Sequence, residues 1–176
     1  MGEGMKVELS EILIEYHKRK HNKRKDSHLE GFYHFFKQRI SDPAIEIKKG
    51  IAIQEFSYRS KRWDFSVWQS GQLRAVLELK SLHKSAAKNF NNRLEEAVGS
   101  AAFLKKAYPD VKIGYLCIGD NLSPRLCDRL IKFITDCQNQ GWYDAASCII
   151  VDKEKGFYTP EHLPVDQLIQ RLTKGF

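Results

Sequence analysis

Cysteine is scarce in this chain of 176 residues: there are four, Cys117, Cys127, Cys137 and Cys148, and no two form a C-x-x-C pair. Neither a zinc centre nor a disulfide framework is signalled, and reduced, mostly buried thiols are expected. No stretch approaches the roughly 18 consecutive apolar residues of a membrane span. The opening MGEGMKVELSEILIEY does not have the basic-then-apolar form of a signal peptide. A soluble, cytoplasmic protein without a membrane partner is therefore expected. Internal repeats, low-complexity segments and linkers are absent as well, which leaves one domain spanning residues 1–176 as the expectation.

Positive charge is what the chain has in excess. It carries 29 Lys and Arg against 22 Asp and Glu, a net +7, and that balance favours polyanionic partners. Six of the basic residues crowd into Lys18 to Lys25, within HKRKHNKRK. Such a run follows a phosphate backbone or is a solvated helix end. His17 and His21 have helical metal-pair spacing, but the lysines and arginines around them repel a cation.

Apolar periodicity predicts helices over Val7 to His17 and from Ser27 to before Pro43, an N-terminal helical segment over residues 6–40. In the second, Ser27-His28-Leu29-Glu30 is a capping-box pattern, and Leu29, Phe32, Phe35, Phe36 and Ile40 form the apolar face. Ile45 to Ser57 reads as a strand, a turn at Lys49-Gly50, and a second strand. After the hairpin discussed below, Asn91 or Asn92 can cap a helix with Leu94, Ala97, Val98, Ala101, Phe103 and Leu104 as its stripe. A buried strand VKIGYLCIG, a helix from Ser123 to Gln138, a buried strand ASCIIV and a helix from Pro164 to Lys174 follow. An early meander followed by alternating helices and strands predicts an α/β fold with a mixed central sheet flanked by helices.

The hairpin RWDFSVWQSGQLRAVLELK, Arg62 to Lys80, places Asp64, Glu78 and Lys80 in otherwise apolar strands. Alternation puts Leu73, Ala75, Leu77 and Leu79 on one face and Arg74, Val76, Glu78 and Lys80 on the other. In the first strand Trp63, Phe65 and Val67 share a face, opposite Asp64, Ser66 and Trp68. A plain two-residue loop at Ser70-Gly71 would scatter the apolar side chains. A three-residue loop closed by Gly71, or one bulge, pairs Phe65 with Leu77 and Asp64 with Glu78. Each misplaced large apolar side chain would forfeit roughly 1.5 to 3 kcal/mol, which selects the second register. Two carboxylates then lie about 5 Å apart and repel unless a cation lies between them. A hard divalent ion, Mg2+ above all, suits such a site because it takes one or two carboxylates, keeps waters and accepts phosphate oxygens. The alternative is a surface salt-bridge cluster in which Lys80 and Arg74 balance the two acids.

The hairpin, followed by NFNNRLEEAVGSAAFLKKAY, closely resembles the XhoI-type Type II restriction endonucleases, a branch of the PD-(D/E)xK nuclease superfamily. The likeness continues in LCDRLIKFITDCQNQGWYDAASCIIV and upstream in HLEGFYHFF. It implies a restriction-endonuclease-like core, a single nuclease domain, and magnesium-dependent hydrolysis of DNA phosphodiesters. By position Asp64 and Glu78 resemble the metal ligands, with the Leu79 carbonyl a further one. Lys80 resembles the residue that orients the attacking water, and Glu30 either the upstream acidic residue or a capping glutamate. Arg93 or Asn89 would contact phosphate, Asn92 and Glu96 would support the site, and Lys18, Arg19, Lys23 and Arg24 would hold the DNA backbone.

The likeness has gaps. Between the strand ending near Gly119 and the helix from Ser123 the family carries a longer segment, and the loop before FNNR is HKSAAK, with Leu82 where a glutamine is usual. Base-reading contacts come from such loops, so no recognition sequence is carried over. The expectation is a sequence-specific endonuclease acting on DNA as a homodimer, beside a possible cognate methyltransferase. A branched-DNA or repair nuclease and a non-catalytic DNA-binding protein of the same fold are the alternatives.

Overall fold

A computed structural model describes residues 8–19, 29–83, 90–152 and 156–176. The elements are α1 (Leu9–Arg19), α2 (Glu30–Lys37), β1 (Ile45–Phe56), β2 (Arg59–Gln69), β3 (Gln72–His83), α3 (Phe90–Ala107), β4 (Lys112–Asp120), α4 (Pro124–Asn139), β5 (Ala145–Asp152), β6 (Gly156–Tyr158) and α5 (Val165–Thr173). One six-stranded sheet runs in sequence order. The β1-β2-β3 meander is antiparallel, β3-β4-β5 are parallel, and β6 closes the far edge antiparallel to β5. This is the mixed α/β sheet expected from the order of the elements.

The two crossovers, β3-α3-β4 and β4-α4-β5, step in the same direction along the sheet. Both crossover helices accordingly pack on one face, where Ala97, Leu104, Leu130 and Ile134 meet Val76, Ile113, Tyr115 and Cys148. The opposite face is covered by α1, α2 and α5, with Ile12, Phe32, Phe36, Ile169 and Leu172 against Phe65, Val67, Leu77, Leu116 and Ile149. With both sides covered, β4 is buried from Ile113 to Gly119, as a central parallel strand requires. All four cysteines are unpaired, as expected. Burial pushes the Cys137 and Cys148 thiols up to about 12, which leaves them packing groups rather than nucleophiles.

Four features of the meander bear on the sequence expectation, and three of them depart from it. First, β1 is one continuous strand of 12 residues. Gly50 does not turn the chain but sits in it at φ +58, and a Cβ there would lie 2.4 Å from Arg62 Nη2. A lone glycine in a strand can mark close approach as well as a turn, and here it accommodates the guanidinium. Second, the hairpin reaches the expected register through the bulge rather than a three-residue loop: Ser70 and Gly71 form a two-residue loop with φ of 50 and 75, the twist that suits a tight hairpin. The register is then moved by a bulge, since Trp68 pairs with Leu73 but Val67 with Ala75, and Phe65 meets Leu77. Arg74 is the extra residue.

Third, that bulge changes the phase of the strand, so Leu73 joins the α3/α4 face rather than the face of Leu77. Fourth, Trp63 also packs on the α3/α4 side, whereas Phe65 and Val67 pack against α1, α2 and α5. The β2-β3 ladder ends at Phe65 and Leu77, and beyond it β2 twists away from β3. On the helices, α3 begins at Phe90, so neither Asn91 nor Asn92 caps it. Its Phe103 is exposed and stands edge-on to Phe56. Glu30 opens α2 behind Leu29, which makes no side-chain cap, and Ser27 lies outside the described residues.

Phe65 is fully buried and meets Phe36 of α2 edge to face at 5.4 Å, so it fixes the register and docks the helix. Phe65→Ala is expected to cost about 3–5 kcal/mol, read as a fall in the urea midpoint at unchanged slope.

Candidate active site

Glu78 and Lys80 project from β3 toward α3, two residues apart on one face. Glu78 is 2% exposed and lies below a ring of cationic groups. Its Oε1 accepts from Lys80 Nζ at 2.7 Å and from Lys61 Nζ at 2.8 Å. Its Oε2 is equally buried and has no hydrogen-bond partner. A buried carboxylate oxygen without a donor is costly unless something else meets it. A surface salt-bridge cluster, the alternative raised by the sequence, does not describe a group this buried.

Asp64 stands where β2 leaves β3. Its Oδ2 accepts from the Leu79 backbone N–H at 2.7 Å, so the carboxylate takes over a ladder position that β2's backbone has vacated. It is close enough for its charge to act on Lys80 and on Tyr16 of α1, which hydrogen-bonds Ser81. The hairpin thus brings Asp64, Glu78 and Lys80 together, with the Leu79 backbone between the two acids.

The N-terminal turns of α3 supply the next layer. Glu96 Oε1 lies 3.8 Å from Lys80 Nζ, and its Oε2 accepts from Arg93 Nη1 at 2.8 Å. Burial works to lower the pKa of Lys80, but the charge and hydrogen bond of Glu78, then the charges of Glu96 and Asp64, outweigh it and leave it raised. Burial likewise works to raise the Glu96 carboxyl, and the hydrogen bond from Arg93 with the charges of Lys80, Arg93 and Lys61 leaves it lowered. Lys80 is a cation at neutral pH.

Of the other expected site residues, several lie outside the described residues. Glu30 is bound by Lys49 of β1 and lies 3.3 Å from His34 Nε2. The Lys49 hydrogen bond holds its carboxyl below the usual range. None of its described contacts is to Asp64, Glu78 or Lys80. Asn92 is exposed on α3. Lys18 and Arg19 end α1, with their side chains outside the described residues, and Lys23, Arg24 and Asn89 lie outside them altogether. Lys61 and Ser100 were not singled out by the sequence. Lys61 shares the 61, 63 alternation of β2, but only the twist beyond Phe65 brings it to Glu78.

Among the described residues no three His, Cys, Asp or Glu side chains form a metal cluster. The donor set that the resemblance implies is the carboxylates of Asp64 and Glu78 with the Leu79 carbonyl, and one Glu78 oxygen has no hydrogen-bond partner. That fits a hard ion that retains waters and takes substrate oxygens, and does not fit a structural zinc. A surface cavity of about 580 Å3 between Arg39, Asp42 and Arg171 is lined by none of these residues.

A mixed sheet whose β2-β3 hairpin carries two acids and a lysine beneath a crossover helix is a restriction-endonuclease-like core. Sequence comparison gives the branch: the model of the family described as restriction endonuclease XhoI matches residues 19–118, and the chain belongs to that family. It is 35% identical over 85 residues to the Type II restriction enzyme XhoI of Xanthomonas vasicola, covering 48% of this chain and 32% of that protein. It is 46% identical over 56 residues to the Type II restriction enzyme AbrI of Azospirillum brasilense, covering 31% of this chain and 25% of that protein. The chain therefore spans about a third or less of these relatives.

The charge balance on Lys80 is open to direct test. Glu78→Gln should let burial dominate and drop Lys80 below the ordinary lysine range, and Glu96→Gln should lower it by less. A side-chain NMR titration of Lys80 reads both, and an unmoved Lys80 in Glu78→Gln would contradict the pairing.

Proposed function

We propose that this chain is a magnesium-dependent DNA endonuclease that hydrolyses phosphodiester bonds at a specific sequence. The observation that carries this is the buried Glu78 carboxylate, with one oxygen held by two ammonium groups and the other left without a partner. Glu78 Oε2, Asp64 and the Leu79 carbonyl would hold the ion. When bound, magnesium supplies a Lewis acid for the phosphoryl oxygen and acidifies an attacking water.

The remaining work belongs to the chain's own residues. Lys80 keeps its proton, so it serves as a hydrogen-bond donor and fixed charge rather than as a base. It orients the attacking water and stabilises the negative charge that builds on the phosphorus oxygens. Glu96 holds Lys80 from the α3 side, and Arg93, 50% exposed beside it, would meet a phosphate. The basic run from Lys18 to Lys25 adds salt-dependent backbone affinity. A homodimer would present two such sites to the two strands of a palindrome, and a methyltransferase acting on the same sequence would protect the host DNA.

One observation favours a second reading. Only Asn121 to Ser123 join β4 to α4, so one loop expected to read bases is short, and a nuclease selecting branched DNA would manage with that. Purified protein on unmethylated phage DNA, with and without magnesium, separates the cases. Discrete fragments that require magnesium, with Glu78→Ala and Asp64→Ala inactive, are expected for the specific enzyme. Lys80→Ala should slow cleavage roughly 10²–10³-fold. Cleavage of four-way junctions alone would select the second reading, and cutting by Asp64→Ala at the wild-type rate would remove the metal assignment.

A further inference from the structure

Two ammonium groups share Glu78 Oε1, and they are held differently. Lys80 has Glu78 at 2.7 Å and Glu96 at 3.8 Å, and its side chain is 28% exposed. Lys61 has Glu78 at 2.8 Å and donates to Ser100 Oγ at 2.9 Å. It also lies 4.8 Å above the Trp63 ring and is 15% exposed. Ser100 is itself buried on α3, and Trp63 is fully buried. Lys61 is thus tied on three sides, whereas Lys80 is open to the cleft.

We infer that Lys61 is a positioning residue that clamps Glu78 through Oε1, leaving Oε2 for the divalent cation and Lys80 free to turn to the attacking water. The inference rests on the function proposed above for this site. If Lys80 were the sole partner of Glu78, its departure toward water would strand a buried carboxylate. Such a group recaptures its cation. Lys61 prevents this, because its ammonium stays in place through the anchors on α3 and Trp63. The same anchors withdraw it from the surface, so it is not a phosphate contact.

The sign of one measurement separates this from the nearest alternative. An ammonium that merely occupied an empty cation site would repel a divalent ion, and its removal would tighten binding. A clamp, when removed, weakens binding. Mn2+ titration followed by electron paramagnetic resonance, on wild type, Lys61→Met and Ser100→Ala, reads that sign without any cleavage. Loss of a group that orients a metal ligand reduces metal affinity by about 10–100-fold. That fall is expected in Lys61→Met, with a smaller one in Ser100→Ala, which keeps both charges but releases the ammonium. Affinity for a short DNA duplex in chelator should stay at the wild-type value, and with magnesium kcat should fall.

Tighter or unchanged Mn2+ binding in Lys61→Met overturns the inference, as does a parallel loss of DNA affinity or a wild type that binds no Mn2+. Should Lys61→Met fail to fold by circular dichroism, Ser100→Ala carries the same comparison. A wild type that binds Mn2+ but cuts no DNA overturns the proposed function and leaves the role of Lys61 to the titration.

Discussion

The hydrogen bond from the Leu79 amide to the Asp64 carboxylate marks the point on which the rest of the site depends. A buried backbone N–H has to find an acceptor, and beyond Phe65 the backbone of β2 no longer provides one. Asp64 provides it from a side chain. The strand can therefore leave the ladder without stranding a donor, and its far half is released to twist toward α3. Trp63 and Lys61 then reach the crossover-helix face, where Glu78 already lies. A hairpin paired along its whole length would have kept Trp63 with Phe65 and left Glu78 with one ammonium instead of two.

The position of that departure is set by packing on the other side of the sheet. Phe65, Val67, Ala75 and Leu77 form one apolar surface under Phe36 and the α5 residues, and only the register shifted at Arg74 places them together. The tight Ser70-Gly71 turn alone would impose the wrong phase. The bulge corrects it at the expense of one unpaired residue, an arginine near the open edge of the hairpin, where an interruption disturbs no helix. Hydrophobic burial and catalytic geometry are coupled here through the period of two. A slip of one residue would turn Phe65 and Leu77 toward α3 and α4, and Asp64 and Glu78 toward the apolar side chains of α2.

The register was legible in the sequence because two strands of alternating residues allow few pairings and burial energy separates them. The helices were legible from their apolar periodicity, although α2 ends at Lys37, well before Pro43. Other features depended on geometry that spacing does not encode. Lys49-Gly50 resembles a turn as much as a strand glycine, and only the Arg62 guanidinium packed against Gly50 distinguishes them. The three-residue β6 is too short for any periodicity. Leu73 and Trp63 were assigned to the wrong face because alternation was extended across a bulge and a twist, each of which resets it. Asp64, Glu78 and Lys80 could be picked out as charges in an apolar hairpin, whereas Lys61, among neighbouring lysines and arginines, carried no such contrast.

The charges that meet around Glu78 also constrain how the site would take its ion. Glu78, Glu96 and Asp64 face Lys61, Lys80 and Arg93, a balanced set among the described residues. Each acid has a donor, and yet Glu78 Oε2 is open. A divalent ion entering such a set adds two charges that the protein alone does not offset, and in a partly desolvated site that excess is poorly screened. A bound phosphodiester would supply the missing negative charge. Under the proposed function metal and DNA would then be thermodynamically linked, each raising the affinity of the other by the same factor. Such a site would hold its cation loosely until the backbone to be cut is in place, which would confine hydrolysis to the bound complex.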